Sequence, residues 1–188
     1  MSVTQHVRKA AKEPAVTVSA RGAGLLEEAF ARHQGELLGT LYYLVGNLED
    51  ARDALQDAFI KCWRHQAEVA EVENLKAWIF RVALNAGRDI RETAWRRKRQ
   101  GLPEDESMLA SRDARPDAIA EQDERLARLR EAMKQLRPEE QEVFLLRQNG
   151  ELTYEQIAET LNVPTGTVKT RMRLALARLR GALEEGDQ

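Results

Sequence analysis

The chain has little of what many small folds and most enzymes depend on. It holds one cysteine, Cys62, which excludes an internal disulfide and a cysteine zinc site and fits a reducing, cytoplasmic setting. Its three histidines, His6, His33 and His65, are scattered without the spacing of metal ligands, so neither a metal nor another cofactor is expected. Aromatic residues make up only 5% of the 188, which suits small helical bundles with modest cores better than a large sheet. There is no phosphate-cradling glycine loop, no nucleophile beside an ordered base and no carboxylate pair in a defined pocket. Asp53 and Asp57 stand one helical turn apart but read as solvated, so catalysis is not expected. No apolar run approaches the roughly 18 residues of a membrane span, and no membrane insertion is expected. Met1 to Gly24 carries two lysines and two arginines without a continuous apolar core, so it reads as a disordered arm and not as a signal peptide. No internal repeat or low-complexity tract is present.

What the chain does have is charge, 32% of its residues, with a net of only -2 because the two signs are segregated along it. An apolar face at Leu26, Phe30, Leu37, Leu41 and Val45 predicts a first helix from Leu25 to Val45, closed by Gly46-Asn47. Asn47 caps a second helix, to about His65, with Glu49 and Asp50 in the turn where the helix dipole favours acids. Its Ala51, Leu55, Ala58, Phe59 and Cys62 share one side, and Asp50, Asp53, Gln56 and Asp57 lie opposite. After a polar loop, Gln66 to Glu73, Asn74 caps a third helix reaching about Arg99, with Trp78, Ile79, Val82, Ala83, Ala86 and Ile90 as its buried stripe. Its second half is rich in cations, among them Arg88, Arg91, Arg96 and Arg97. Basic residues suit a helix C-terminus, but Trp95 beside four consecutive cations also suits base stacking next to a charged backbone.

The composition then inverts. Gly101 to Glu124 holds eight acids against Arg112 and Arg115, and reads as a linker extended by self-repulsion. A fourth helix is expected over roughly Gln122 to Gln135, with Leu126, Leu129 and Met133 inward. Pro138 opens a fifth, in which Val143, Phe144 and Leu145 pack, and Gly150 ends it. The stretch LTYEQIAETLNVPTGTVKTRMRLALARLR then reads as two helices and a tight turn. Thr153 and Gln156 form a capping box, and Ile157, Ala158 and Leu161 make an apolar face. Asn162-Val163-Pro164 breaks the helix, and Thr165 restarts it as a cap. Val168, Met172, Ala175, Leu176 and Leu179 follow along one face. Lys169, Arg171, Arg173, Arg178 and Arg180 line the other, with no acid between Thr165 and Gly181. Short residues at Thr165, Gly166 and Thr167 let the helix start approach a phosphate. This is the pattern of a helix-turn-helix, whose second helix enters the DNA major groove. A solvated helical hairpin is the plainer reading, although such helices usually mix charge signs.

Together these stretches resemble the extracytoplasmic-function group of bacterial sigma factors, over about Leu25 to Leu183. EDARDALQDAFIKCWRH is similar to the group's core-polymerase-binding helix. NLKAWIFRVALNAGRDIRETAWRRKR is similar to its segment for melting and reading the promoter near the start site, and the stretch from Leu136 to Arg180 to its distal promoter-reading domain. The resemblance implies an all-α chain of two small helical domains on a flexible acidic linker. A disordered arm would cover 1–24, the first domain 25–100, the linker 101–121 and the helix-turn-helix domain 122–184. It implies a dissociable, non-catalytic polymerase subunit whose partners are core RNA polymerase, promoter DNA and an anti-sigma factor. Residue by residue, Asp50, Asp53, Gln56 and Asp57 match polymerase-facing positions. Asn85 matches a position near the flipped base of the minus-ten element, and Arg88, Arg91, Arg96 and Arg97 match phosphate contacts. Thr165, Thr167, Lys169, Thr170, Arg171 and Arg173 belong to the helix that reads the minus-thirty-five element. Leu174 and Leu176 depart from many relatives, which carry arginines there. The alternative is a helix-turn-helix regulator that is not a polymerase subunit, which leaves the acidic face and the cation-rich third helix without a task.

Overall fold

The computed structural model of the protein describes residues 15–99 and 127–185. Three long helices form the first domain: α1 (Ala15–Val45), α2 (Leu48–Arg64) and α3 (Leu75–Arg99), each packed on the other two. The second domain contains α4 (127–134), α5 (Pro138–Gln148), α6 (Tyr154–Leu161) and α7 (Thr165–Glu185), with α7 packed on both α5 and α6. The domains also touch, α3 against α6 and α1 against α5. The described residues contain no strand. The expected linker, 101–121, and the start of the expected fourth helix lie outside the described residues.

The caps stand where the side chains place them. Asn47 Oδ1 accepts from the Asp50 amide at 2.8 Å, and Asn74 Oδ1 from the Ala77 amide at 3.0 Å. In α6 the Gln156 amide donates to Thr153 Oγ1 at 3.2 Å, and the Thr153 amide donates to Gln156 Oε1 at 2.8 Å, completing the capping box. Asn162 ends α6 in the left-handed region, φ 53°, which asparagine tolerates better than most residues. The expected cap at Thr165 is displaced by one residue. Thr165 is the first residue of α7, and the Pro164 carbonyl accepts from the Thr167 and Val168 amides.

One boundary differs more. Residues 15–24 were expected in a disordered arm, yet α1 begins at Ala15. Gly22 and Gly24 each lower intrinsic helix propensity by about 1 kcal/mol relative to alanine, which is why local sequence favours an arm. Packing overrides that preference. Gly22 is buried so closely against the chain after α2 that a Cβ there would lie 1.8 Å from the Gln66 carbonyl oxygen. The two glycines are not equivalent, since nothing lies within 4 Å of the corresponding position at Gly24.

The first core contains Leu26, Leu37, Leu41, Ala51, Ala54, Ala58, Ile79 and Ala83, all nearly or fully buried. Phe80 and Leu84 are also buried although they lie off the expected stripe of α3, because α1 and α2 cover one side of that helix and α6 another. Phe30 meets Phe59 edge-on at 5.0 Å between ring centres, and Phe59 meets Trp63 at 5.6 Å. In the second domain Met133, Val143, Leu145, Leu146, Ile157, Val168, Met172, Ala175 and Leu179 form the core. A buried side chain of leucine or phenylalanine size contributes about 1.5–3 kcal/mol over exposure. Leu176, expected on that face, is instead 44% exposed, since one residue beyond Ala175 turns it about 100° away.

Cys62 lies wholly inside, and burial pushes its thiol up to about 12. The unfolded thiol ionises near about 8.5, so above that pH unfolding releases a proton and the folded state is disfavoured. Stability should fall as pH rises from about 8.5, by up to about 1.4 kcal/mol per unit from this group. Urea titrations at several alkaline pH values should show that component in the native chain and its loss in Cys62→Ala. The native thiol should also resist alkylation until the chain unfolds.

Candidate nucleic-acid and protein interfaces

Helix α2 turns its polar face outward, but its members are not equivalent. Asp53 and Gln56 are exposed and make no ion pair or hydrogen bond among the described residues. Asp50 is engaged, because its carboxylate accepts from Asn47 Nδ2 at 2.6 Å while its amide is held by the same cap. Asp57 pairs with Lys61 at 2.8 Å, and Lys61 reaches on to Asp89 of α3 at 3.1 Å. Asp57, with Asp89 beyond it, holds the Lys61 ammonium above its ordinary pKa. Gln56 also borders a shallow groove between α1 and α2, lined by Phe30, Leu38, Leu55 and Phe59 and about 490 Å³ in volume. A polar edge beside an apolar groove is the form a protein-docking surface takes.

On α3, Asn85 is exposed and Arg88 and Arg91 are half-buried. Arg96 forms an exposed pair with Glu92 at 2.6 Å, an arrangement worth little net stability and readily exchanged for a phosphate. The backbone of Arg97 lies in α3. Trp95 is 57% exposed, which keeps its ring at the surface next to these cations. Arg88 is not open to a phosphate. Its Nε and Nη2 both donate to the Glu142 carboxylate of α5, each at 2.6 Å, and its Nη1 donates to Asn85 Oδ1 at 2.9 Å. The hydrogen bonds to Glu142 raise the Arg88 pKa above its already high ordinary value. The sequence offered no sign of this partner. Glu142 follows Glu139 and Glu140 in the first turns of a helix, where acids are ordinarily solvated and dipole-favoured, and it stands 54 residues from Arg88.

On α7, Lys169, Thr170 and Arg173 are exposed, and Thr165, Thr167 and Arg171 are half-buried. Thr170 Oγ1 donates back to the Gly166 carbonyl at 3.0 Å. Lys169, Arg171 and Arg173 make no ion pair among the described residues. Arg178, read with them as part of one basic face, is different. It pairs at 3.2 Å with Glu140 of α5, whose side chain is only 3% exposed. The same carboxylate accepts from the Arg137 amide at 3.1 Å. Arg147 closes the other end of α5, donating to the Leu152 carbonyl at 2.8 Å and lying over the Tyr154 ring. These contacts hold the two-helix unit on α5 and aim Lys169 and Arg173 outward. Among the described residues no group of His, Cys, Asp or Glu side chains could hold a metal ion, and no helix is long and apolar enough to cross a membrane.

The two domains coincide with two family descriptions: "Sigma-70 region 2" matches residues 29–100, and "Sigma-70, region 4" matches residues 126–179. The chain is 35% identical over 162 residues to an RNA polymerase sigma-E factor of Streptomyces antibioticus, covering 86% of each protein. The chain belongs to the extracytoplasmic-function group of the sigma-70 family. Another member, the ECF RNA polymerase sigma factor SigE of Mycolicibacterium smegmatis, is 29% identical over 84% of this chain but extends further, so that the chain spans 61% of its length. In fold the chain is similar to the sigma factor RpoE of Bartonella quintana, solved with the anti-sigma factor NepR. The TM-score is 0.65 at 22% identity, over 84% of this chain and 96% of that one. It is similar also to CnrH in complex with the cytosolic domain of CnrY, with a TM-score of 0.64 over 93% and 96% of the two chains. Sigma factors are initiation factors and not enzymes, and a free-standing helix-turn-helix regulator is not favoured.

The geometry separates the arginines of α7 by task. Removing Arg178 leaves the buried Glu140 carboxylate short of a partner, so Arg178→Ala should destabilise the second domain by about 1–3 kcal/mol. Arg173→Ala should fall within about 0.5 kcal/mol of the native chain, as for other surface substitutions. Denaturant unfolding monitored by circular dichroism distinguishes the two.

Proposed function

We propose that this sigma factor joins core RNA polymerase through the exposed face of α2 and directs it to promoters by reading DNA at two places. Asp53 and Gln56 are the leading polymerase contacts, with Asp50 and Asp57 reinforcing the acidic field from their local pairs. Asn85 would take an unpaired base of the minus-ten element while Arg88, Arg91, Arg96 and Arg97 hold the backbone around it. Thr165, Thr167, Lys169, Thr170, Arg171 and Arg173 would place α7 in the duplex at the minus-thirty-five element. The first domain, 25–100 with the helix continued back to Ala15, and the second, 122–184, would act as separate readers on the acidic linker 101–121. The chain would work in the cytoplasm, where its polymerase is, and an anti-sigma factor would control its availability.

The observation that carries this reading is a division of labour in one chain. An α7 without an acid from Thr165 to Gly181 turns Lys169 and Arg173 to solvent, and a separate domain turns Asp53 and Gln56 to solvent with no ion pair or hydrogen bond among the described residues. The cations of the first surface attract DNA, whereas the acid of the second does not, so the second suits a protein partner.

Core polymerase supplied with this chain should yield discrete transcripts in vitro, and mapping their starts should reveal two shared upstream elements. The pair Asp53→Arg with Gln56→Arg should keep its helix content and fail to co-elute with core, because like charges across an interface cost several kcal/mol. Lys169→Ala with Arg171→Ala should still bind core and lose about 1–3 kcal/mol per base contact at the distal element. Normal co-elution of the first pair, or full transcription by the second, would overturn the respective assignment.

A further inference from the structure

Beside the packing of α3 on α6, the two domains meet through polar groups, and two residues there, Asn85 and Arg88, are ones the activity described above would need to have free. Glu142 lies on α5 of the second domain with its side chain 6% exposed, and Arg88 of the first domain grips it through two hydrogen bonds of 2.6 Å. Arg88 in turn donates to Asn85, drawing that amide toward the same junction. One residue earlier on α5, Gln141 Nε2 donates across the junction to the Tyr43 carbonyl at 2.8 Å. Arg130 of α4 stands 5.6 Å from the centre of the Tyr42 ring, and Lys76 reaches Glu151 at 3.4 Å. Apart from the Arg88–Asn85 bond inside α3, each of these contacts joins one domain to the other, beside the packing of α3 on α6 and of α1 on α5.

We propose that the Arg88–Glu142 pair is an intramolecular latch, in which the Glu142 carboxylate occupies the place of a DNA phosphate and keeps the free chain from taking single-stranded DNA. The masking part rests on the assignment of Asn85 and Arg88 to promoter DNA; the closure part does not. A guanidinium binds carboxylate and phosphate with the same planar, two-point geometry, so the two compete directly for Arg88. The latch is also reversible. A buried carboxylate that loses its only cation is costly while it remains buried, but domain separation returns Glu142 to water and removes that cost. Core polymerase, by holding the domains apart, would release Arg88 at the moment unpaired DNA becomes available.

The test uses the full chain carrying Arg81→Cys on α3 and Glu155→Cys on α6, both exposed, for a donor and acceptor dye. Cys62 is buried and stays unlabelled. Energy transfer should fall in Glu142→Gln and remain native in Glu139→Gln, an exposed neighbour with the same change of charge. The charge swap Arg88→Glu with Glu142→Arg should restore transfer. Without dyes, Glu142→Gln should bind single-stranded oligothymidylate about tenfold more tightly than the native chain. Glu139→Gln should not, and adding Arg88→Ala to Glu142→Gln should remove the gain. Native transfer in Glu142→Gln would overturn the latch. Reduced transfer with unchanged oligonucleotide affinity would overturn the masking. The sigma-factor assignment is judged separately, by whether core makes promoter-specific transcripts with the native chain.

Discussion

Helix α5 buries two carboxylates, and the cations that meet them organise much of the second domain and its junction with the first. Glu140 takes Arg178 from α7, and Glu142 takes Arg88 from α3. Burying a carboxylate is tolerated only when a partner with good geometry accompanies it. Each pair therefore specifies an arrangement more than it adds stability. The first sets how α7 lies on α5, and with it the direction of Lys169 and Arg173. The second sets how one domain meets the other.

The two pairs differ in what surrounds them. Arg178 and Glu140 belong to a domain whose core holds Val143, Leu146, Ile157, Val168 and Met172, so they separate only if that domain unfolds. Arg88 and Glu142 stand at the junction of two domains whose buried apolar residues run on into one cluster. Around them stand Gln141 with the Tyr43 carbonyl and Lys76 with Glu151, contacts that water can replace. The same chemistry thus stands inside one domain in one place and between two domains in the other.

Much of the architecture was legible in the chain. Asn47, Asn74 and Thr153 cap where a side-chain oxygen one residue before a helix must cap, and Asn162-Val163-Pro164 breaks the helix because its last member has no amide to donate. Most of the buried faces of α2 and α7 follow from spacing, with Leu176 the exception on α7 and Ala54 buried beside the expected set on α2. Where spacing misled, a neighbour intervened. Phe80 and Leu84 are buried because α3 is covered on more than one side. Gly22, which locally disfavours a helix, is kept in one by the close approach of Gln66. Among the candidate site residues, exposure was readable for Asp53, Gln56, Lys169 and Arg173, whose helices have one apolar face and hence one outward face. Asp50 and Asp57 are engaged by Asn47 and Lys61, three and four residues along the chain, which helix spacing allows; engagement was not readable for Arg88 and Arg178, because it depends on which side chain of another element stands opposite.

By itself the sequence determined the helices, their caps, the all-helical class, and a family in which two regions occur in a set order. Those properties arise from interactions over three or four residues and from motifs read along the chain. Only the tertiary structure decided that Arg88 closes on Glu142 and Arg178 on Glu140, and that α1 reaches back to Ala15. An ion pair spanning 54 residues leaves no periodic trace in the chain. A charged residue on a helix reads the same whether water or a carboxylate from another element stands before it, and the packing of the elements chooses between them.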